Sequence, residues 1–431
     1  MRILVIGAYG FIGSAVVARL VADGHEVVGA GRRIKAARER RPDLDWVRID
    51  LTRARKPEHW DQHLAGIDAV VNCAGVLQDG PADSTHKVHV EGASALFAAC
   101  AQAGVRRVIL ISAVGVGAGE NTRFARTKFA AEEALKREDL DWVILRPSLV
   151  VGHAAYGGMS MVRALAAIPF VLPLARESAT FQPVQVGEVA AAVSFFLRPE
   201  APVRRTVEIA GPQRMTLAQL VATYRRWLGL PAAKLIRLPV IAAALISSLG
   251  DAVSFLGWRP PVRTTALKQL SRALARDPIE WTRITGIAPT RLETALALDP
   301  ASAQDRWFAR LYLLKPLVIA VLSLFWIVSG AIGLGPARAL VADLSIEIGF
   351  GDWAGLAAIA SGLIQLFLGL GIAFRATARA ALLASLPIAV AYIVVGGLMR
   401  IGLWLDPLGA LIKMFPIVVL TIVALAIFDD R

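Results

Sequence analysis

Ile3-Leu4-Val5-Ile6-Gly7-Ala8-Tyr9-Gly10-Phe11-Ile12-Gly13-Ser14 stands almost at the N-terminus of the 431-residue chain. A short, β-branched apolar run ends in three glycines spaced G-x-x-G-x-x-G, and Val16-Val17-Ala18-Arg19-Leu20 then continues in a helical apolar pattern. Strand, glycine turn and helix in that order form the opening of a dinucleotide-binding βαβ unit. Each glycine has its own reason. Gly7 turns sharply off the strand, Gly10 lets backbone approach a pyrophosphate, and Gly13 lets helix and strand pack closely. The free N–H groups at the helix start then face the phosphates, with the helix dipole favouring negative charge.

Outward from this stretch, strand and helix patterns alternate. His25 to Arg33 reads as a second strand and its carboxyl end, and Trp46 to Ile49 as a third, running into Asp50-Leu51. Ala69-Val70-Val71 reads as a fourth, leading to Asn72-Cys73-Ala74-Gly75. A helical pattern from about Val88 to Ala103, a strand Val108 to Ser112 and another at Trp142 to Leu145 follow. Such alternation predicts a Rossmann-type, doubly wound parallel sheet covered on both faces. Arg32 and Arg33 stand where an NAD site usually carries an acid for the ribose 2′-OH; arginine suits the 2′-phosphate, which points to NADP(H) rather than NAD(H). The alternative is a solvated basic loop. Asp50 is placed to accept from an adenine amino group, and the small Ala74-Gly75 backbone to lie against a ribose.

The hydrophobic fraction is 56%, mean hydropathy is +0.56 and the formal charge is +13. The charge is uneven: residues 1–310 hold 40 of the 47 Lys and Arg and 28 of the 34 Asp and Glu, so the last 121 residues are nearly charge-free. Scattered basic residues without aromatic interleaving argue against nucleic acid and fit an anionic lipid surface. Cys73 and Cys100 lack CxxC spacing and read as buried, reduced thiols in a cytosolic compartment. The chain opens directly on a strand, from which no cleavable signal peptide is expected.

Gly7 to Gly13, Asp50-Leu51, Asn72 to Gly75, Ile111-Ser112, Lys128 and Leu145-Arg146-Pro147 resemble the short-chain dehydrogenase/reductase superfamily over roughly the first 290 residues. The pattern is most similar to its atypical extended branch, which includes the nucleotide-binding accessory subunit of respiratory complex I. The resemblance implies a cofactor site at Gly7, Tyr9, Gly10, Phe11, Ile12, Gly13, Arg32, Arg33, Asp50, Leu51, Ala74, Gly75, Ser112 and Lys128. It implies catalytic roles for Ser112, which orients a carbonyl, and for Lys128, which binds ribose. The family's acid is a tyrosine four residues before that lysine, and here the position is Phe124. A phenyl ring carries no proton to give. None of the five tyrosines lies between Ser112 and Lys128. His89 stands where the family has an asparagine; it reads either as a proton shuttle or as a satisfied polar side chain. Tyr156, in the glycine-rich loop Val150 to Gly158, reads as a substitute acid or as a pocket wall. Phe181 to Ala190 and Val207 to Pro212 resemble two returning strands of a small substrate-side lobe.

From Pro316 onward, four apolar runs approach the ~20 residues that span a bilayer core, at about 316–334, 354–374, 380–399 and 408–428. They predict an all-α, four-helix transmembrane bundle. Arg306, Arg310 and Lys315 before the first run, with Arg375 and Arg379 in the second connection, orient it with the N-terminal domain and C-terminus cytoplasmic. Arg338 with Asp343, Glu347 and Asp352 in the first connection, and Arg400 with Asp406 in the third, lie on the other side. Lys413 falls inside the last run, either snorkelling to the interface or handling quinone or protons. Arg310 to Pro316, Trp326 to Gly330, Asp406-Pro407, Lys413 and Pro416 resemble the DoxX-like membrane family, whose members are often linked to membrane redox processes.

The organisation expected is therefore an NAD(P)-binding domain over 1–235, a helical connector over 236–305, and a DoxX-like membrane domain over 306–431. Within the connector, the apolar stretch at Pro239 to Leu256 is too short to span and is broken by Asp251; it reads as a core or membrane-surface helix. The function these readings imply is an oxidoreductase of the inner (cytoplasmic) membrane acting on a lipidic or quinone-like substrate. The alternative is a non-catalytic nucleotide-binding scaffold or redox sensor of a membrane protein complex. No metal site is expected.

Overall fold

The computed structural model describes residues 1–80, 84–117, 122–174, 180–258, 279–399, 401–405, 409 and 411–428. The chain divides into two compact units, Met1–Asp251 with Pro261–Arg306, and Ala252–Pro260 with Trp307–Arg431.

The first unit begins with β1 (Arg2–Ile6), α1 (Phe11–Ala22), β2 (Glu26–Gly31), β3 (Asp45–Arg48), β4 (Ala69–Asn72), α2 (Ala93–Gln102) and β5 (Arg107–Ile111). It continues through α3 (Arg123–Arg137), β6 (Asp141–Pro147), α4 (Gly158–Ala167), β7 (Val171–Leu174), α5 (Val186–Leu197) and β8 (Arg205–Ile209). Next come α6 (Leu217–Trp227), β9 (Lys234–Arg237) and α7 (Val240–Phe255), whose last turn groups with the second unit. Seven strands pair in the order β8-β6-β5-β4-β1-β2-β3, all parallel. The strands are apolar on both faces because both are covered. Leu4, Ile6, Val70, Val108 and Ile144 pack toward Leu96, Phe97 and Leu135, whereas Ile3, Val5, Val71, Ile109 and Val143 pack toward Val16, Leu20, Val189 and Phe196. Phosphate-loop, β2 end and β4 end thus meet at the carboxyl edge of the sheet.

Two expectations need correction. Residues 186–190 begin a helix, not a strand: Gln185 and Glu188 form a capping box, and the apolar run behind it covers the sheet as α5. The strand at Val207 belongs to the main sheet, paired with β6 at its edge. The supposed connector also contributes to the nucleotide unit. Trp281 is fully buried in the core under α5 and donates its indole N–H to Ala210 O at 3.0 Å.

In the second unit, α8 (Ala303–Leu334, grouped with this unit from Trp307), α9 (Ala354–Ala373), α10 (Ala378–Met399) and α11 (Met414–Ala426) carry an apolar core of Leu322, Trp326, Ile372, Leu382 and Ala424. Among the described residues, three helices, Ala303–Leu334, Gly351–Ala373 and Ala378–Met399, are long and apolar enough to cross a membrane. Glycines bring α8 and α9 together: a Cβ on Gly330 would lie 2.6 Å from Gly362 O, and one on Gly369 would lie 2.6 Å from Ile327 N. Within the described part of the fourth apolar run, the helix is Met414–Ala426, 13 residues. Pro416 sits in its first turn, where no backbone N–H is needed, and Lys413 occupies the N-cap position, exposed. Arg400, Asp406, Pro407 and Leu408 lie outside the described residues.

Candidate dinucleotide site

The glycine loop has the geometry its spacing implies. Gly7 takes φ +75° and its N–H donates to Ala30 O at 2.9 Å, so the chain turns off β1 toward β2. Gly13 admits no side chain, since a Cβ there would lie 2.2 Å from Gly7 O. Gly10 is the N-cap of α1 and makes no side-chain cap, which leaves the first-turn N–H groups of Phe11, Ile12 and Gly13 for an anion. Tyr9 lies over Gly31, where a Cβ would meet its ring at 2.3 Å, and its hydroxyl accepts from Arg33 N at 3.2 Å. A loop of this geometry could hold a dinucleotide's pyrophosphate and adenosine end.

Beside them opens a pocket of about 850 Å³ lined by Arg32, Arg33, Arg48, Arg53, His59 and Asp50. Arg48 ends β3 and Arg53 follows it in the next turn, so sheet pairing brings two further cations to the pair the sequence reading singled out. The Asp50 carboxylate accepts from Thr52 N at 2.9 Å and from Thr52 Oγ1 at 2.8 Å, a local turn that fixes its direction. Leu51 is buried in the core, and Gly92 packs so closely on it that a Cβ would lie 2.3 Å from Leu51 O.

At the other end of the site, Lys128 is 5% exposed and donates to Ile111 O at 2.8 Å and to Ala74 O at 3.5 Å. Burial pushes its ammonium down to about 8, partly offset by Cys73 and Glu132. Gly75 packs against it; a Cβ at 75 would stand 3.3 Å from Lys128 Nζ, closer than most Cβ contacts. Burial pushes the Cys73 thiol up to about 12.

Around Lys128 the groups that would move protons are committed elsewhere. Val76 N donates to His89 Nε2 at 3.0 Å, and His89 Nδ1 lies 2.9 Å from Thr127 Oγ1, which itself donates to Phe124 O at 3.0 Å. These partners assign the Nδ1–H tautomer. Burial, then the Lys128 charge, holds His89 down to about 2, so it stays neutral. Phe124 is half-buried, edge-on to the His89 ring at 5.7 Å. Ser112 donates its hydroxyl to Glu132 Oε1 at 2.5 Å, leaving only lone pairs for a ligand. Glu132 is fully buried and accepts from Arg146 Nε at 2.9 Å and Arg146 Nη2; its carboxylate raises the Arg146 pKa. The one signal for Glu132 in the sequence is an acid four residues after Lys128, on the same face of α3 as Ala131 and Leu135. Tyr156 is half-exposed and stacks on Phe11 at 5.8 Å with rings 8° from parallel, beside the glycine loop. Its loop is held from below by buried Arg163, which donates to Gly152 O at 2.9 Å and His153 O at 2.7 Å.

Fold and site together define a nucleotide-binding Rossmann unit in a chain that also carries apolar, membrane-type helices. The comparisons with known proteins make both parts specific. Residues 7–161 match a family of NAD(P)H-binding domains, and residues 323–422 match the DoxX-like family. The chain thus joins an NAD(P)-binding, Rossmann-type domain similar to short-chain dehydrogenases to a DoxX-like domain.

The chain is 26% identical over 288 residues to a ceramide reductase from Caulobacter vibrioides, covering 65% of this chain and 85% of that protein. It is 26% identical over 223 residues to the NADH-ubiquinone oxidoreductase 40 kDa subunit of Neurospora crassa, covering 50% and 57%. Mycobacterial relatives are 29% identical over 174 residues, and the chain spans only 17% of their length. Among solved structures, MoeE5 in complex with UDP-glucose and NAD superposes with a TM-score of 0.53 at 20% identity, covering 73% of this chain and all of that one; the likeness is one of fold.

Proposed function

We propose that this protein is a membrane-anchored, NADP(H)-dependent oxidoreductase acting on a lipidic or quinone-like substrate at the cytoplasmic face of the inner membrane. The observation that carries the reading is the glycine loop, with Gly7 at φ +75° and Gly13 closed to any side chain, standing on the same sheet edge as the buried Lys128 beside Gly75. In this reading Tyr9, Phe11, Ile12, Ala74 and Gly75 line the nucleotide, Asp50 and Leu51 bound the adenine, and Arg32 and Arg33, joined by Arg48 and Arg53, receive the 2′-phosphate. The likeness to a ceramide reductase supports a lipid carbonyl as the group reduced. The apolar runs at 316–334, 354–374, 380–399 and 408–428 hold the protein in the bilayer, with the charges before the first run and in the second connection on the cytoplasmic side.

Carbonyl reduction needs a hydride, which the nicotinamide supplies when bound, and a proton for the oxygen. Phe124 stands in the acid's place, His89 is locked neutral with both ring nitrogens engaged, and the Ser112 hydrogen is directed to Glu132, so in this reading the proton reaches the oxygen from solvent while Lys128 holds the ribose.

Those same three residues favour a second reading, a nucleotide-binding scaffold or redox sensor without turnover, supported by the likeness to a complex I subunit. NADPH oxidation by the full chain in lipid nanodiscs, with quinones and long-chain carbonyl compounds as acceptors, separates the two. Turnover that Lys128→Ala abolishes supports the enzyme; tight NADPH binding without turnover on any acceptor overturns it in favour of the scaffold. Arg32→Asp weakens NADPH more than NADH if the arginines read the 2′-phosphate, and equal weakening overturns that assignment.

A further inference from the structure

Helix α7 has 16 residues and is about 24 Å long, short of the ~30 Å hydrocarbon core. Its apolar side chains are not buried. Ile241, Leu245, Leu249 and Val253 are 75%, 61%, 66% and 39% exposed, and their four-residue spacing sets them in one stripe, with Ile246 alongside. Ser247, on the far side, is 1% exposed. The helix carries one charge, Asp251, which also falls away from the stripe. An apolar stripe of this size is rare on a water-facing surface.

What lies at the end of α7 identifies its occupant. The last turn and the residues after it group with the helical unit, where Arg375 N donates to Leu256 O at 2.9 Å and Trp258 Nε1 donates to Ala373 O at 2.7 Å. The Trp258 ring stands edge-on to Phe428 at 6.1 Å, and the Arg375 guanidinium lies 5.3 Å from Trp258 and 3.9 Å from Phe428. These partners terminate α9 and α11. Tryptophan and arginine at the ends of membrane helices mark the headgroup level, so α7 ends at that level.

We infer that α7 lies along the boundary between headgroups and acyl chains, with the stripe of Ile241, Leu245 and Leu249 immersed in lipid. The bilayer suits this face better than a protein partner, because the stripe has no charged or hydrogen-bonding group to fix a register and is continuous with residues already at the membrane boundary. The inference is independent of whether the nucleotide unit turns over a substrate.

Nitroxide labels on Leu245→Cys and Leu249→Cys test it, in the full chain in nanodiscs of phosphatidylcholine and phosphatidylglycerol, with Gln62→Cys on the exposed face of the nucleotide unit as reference. The native thiols are removed first, as Cys73→Ser and Cys100→Ala, so that only the introduced cysteine carries the label. Immersion makes the ratio of oxygen to water-soluble nickel-chelate collisions roughly tenfold higher at 245 and 249 than at 62. Chelate access equal to that at 62 puts the helix in water and overturns the inference. Protection from both oxygen and chelate means that protein covers the stripe, and overturns it equally.

Discussion

Lys128 offers the sharpest test of the nucleotide site, because its charge is held under strain that a bound ligand relieves. Burial takes its ammonium from the ordinary 10.5 to about 8, and two of its three donors are used on Ile111 O and Ala74 O. Between about pH 8 and 10.5 the unfolded chain binds more protons at this position than the folded one. The nucleotide-free fold therefore gains stability as pH rises through that window, by up to about 3 kcal/mol. In the proposed complex a ribose hydroxyl accepts the third donor, and this hydrogen bond, with the cofactor's net negative charge, raises the group toward its ordinary value. At pH 9 the free site is then about one-tenth protonated and the bound site about nine-tenths, so NADPH binding takes up about 0.8 proton. The bound state holds more protons, so affinity is fully present below about pH 8 and falls roughly tenfold per unit above it. Calorimetry of NADPH binding at pH 9 in two buffers of different ionisation enthalpy measures the uptake. Lys128→Met removes it while keeping the side chain's bulk. No uptake by the native protein, or uptake undiminished in Lys128→Met, refutes the placement of Lys128 against the nucleotide.

Gly13→Ala drives a methyl to 2.2 Å from Gly7 O, so helix and loop must part; NADPH binding is lost while circular dichroism retains most of the helix signal. Glu132→Gln leaves Arg146, with 17% of its side chain exposed, the longer ion pair to Glu208 at 3.8 Å, and lowers stability by about 3 kcal/mol in thermal unfolding. The double change Glu132→Leu with Arg146→Leu restores most of that loss. A reporter fused after Arg431 reads cytoplasm if the loop charges orient the bundle; an external signal inverts the topology.

The parallel sheet was legible because its code is local: β-branched runs, then glycines whose spacing matches what backbone and helix require. Phe124 was legible for the same reason, being four residues from Lys128. The charge partners of the site were not. Arg48 and Arg53 join Arg32 and Arg33 through strand pairing, and Glu132 reaches Ser112 across the gap between α3 and the sheet. Each is a distance in space with no counterpart in spacing. Residues 186–190 were misread as strand because β-branched apolar residues fit either element; the capping pair Gln185 and Glu188 was the local signal that decides it. The last apolar run was read at full length because composition does not show where a proline such as Pro416 starts a helix.

Trp281 has a consequence for how the protein is made. The chain leaves the nucleotide unit at Asp251, visits the helical unit, and returns to place this tryptophan at 0% exposure under α5 before departing again after Arg306. During synthesis the Rossmann sheet is complete by Ile209, yet its core has a vacancy the size of an indole until some seventy residues later, by which time α7 has already emerged. A cut near residue 235 would release a domain with an open core, whereas no single cut separates the two units cleanly. The two units are interlaced along the sequence, and the core of the nucleotide unit is closed by a residue the chain reaches only after its first visit to the helical unit.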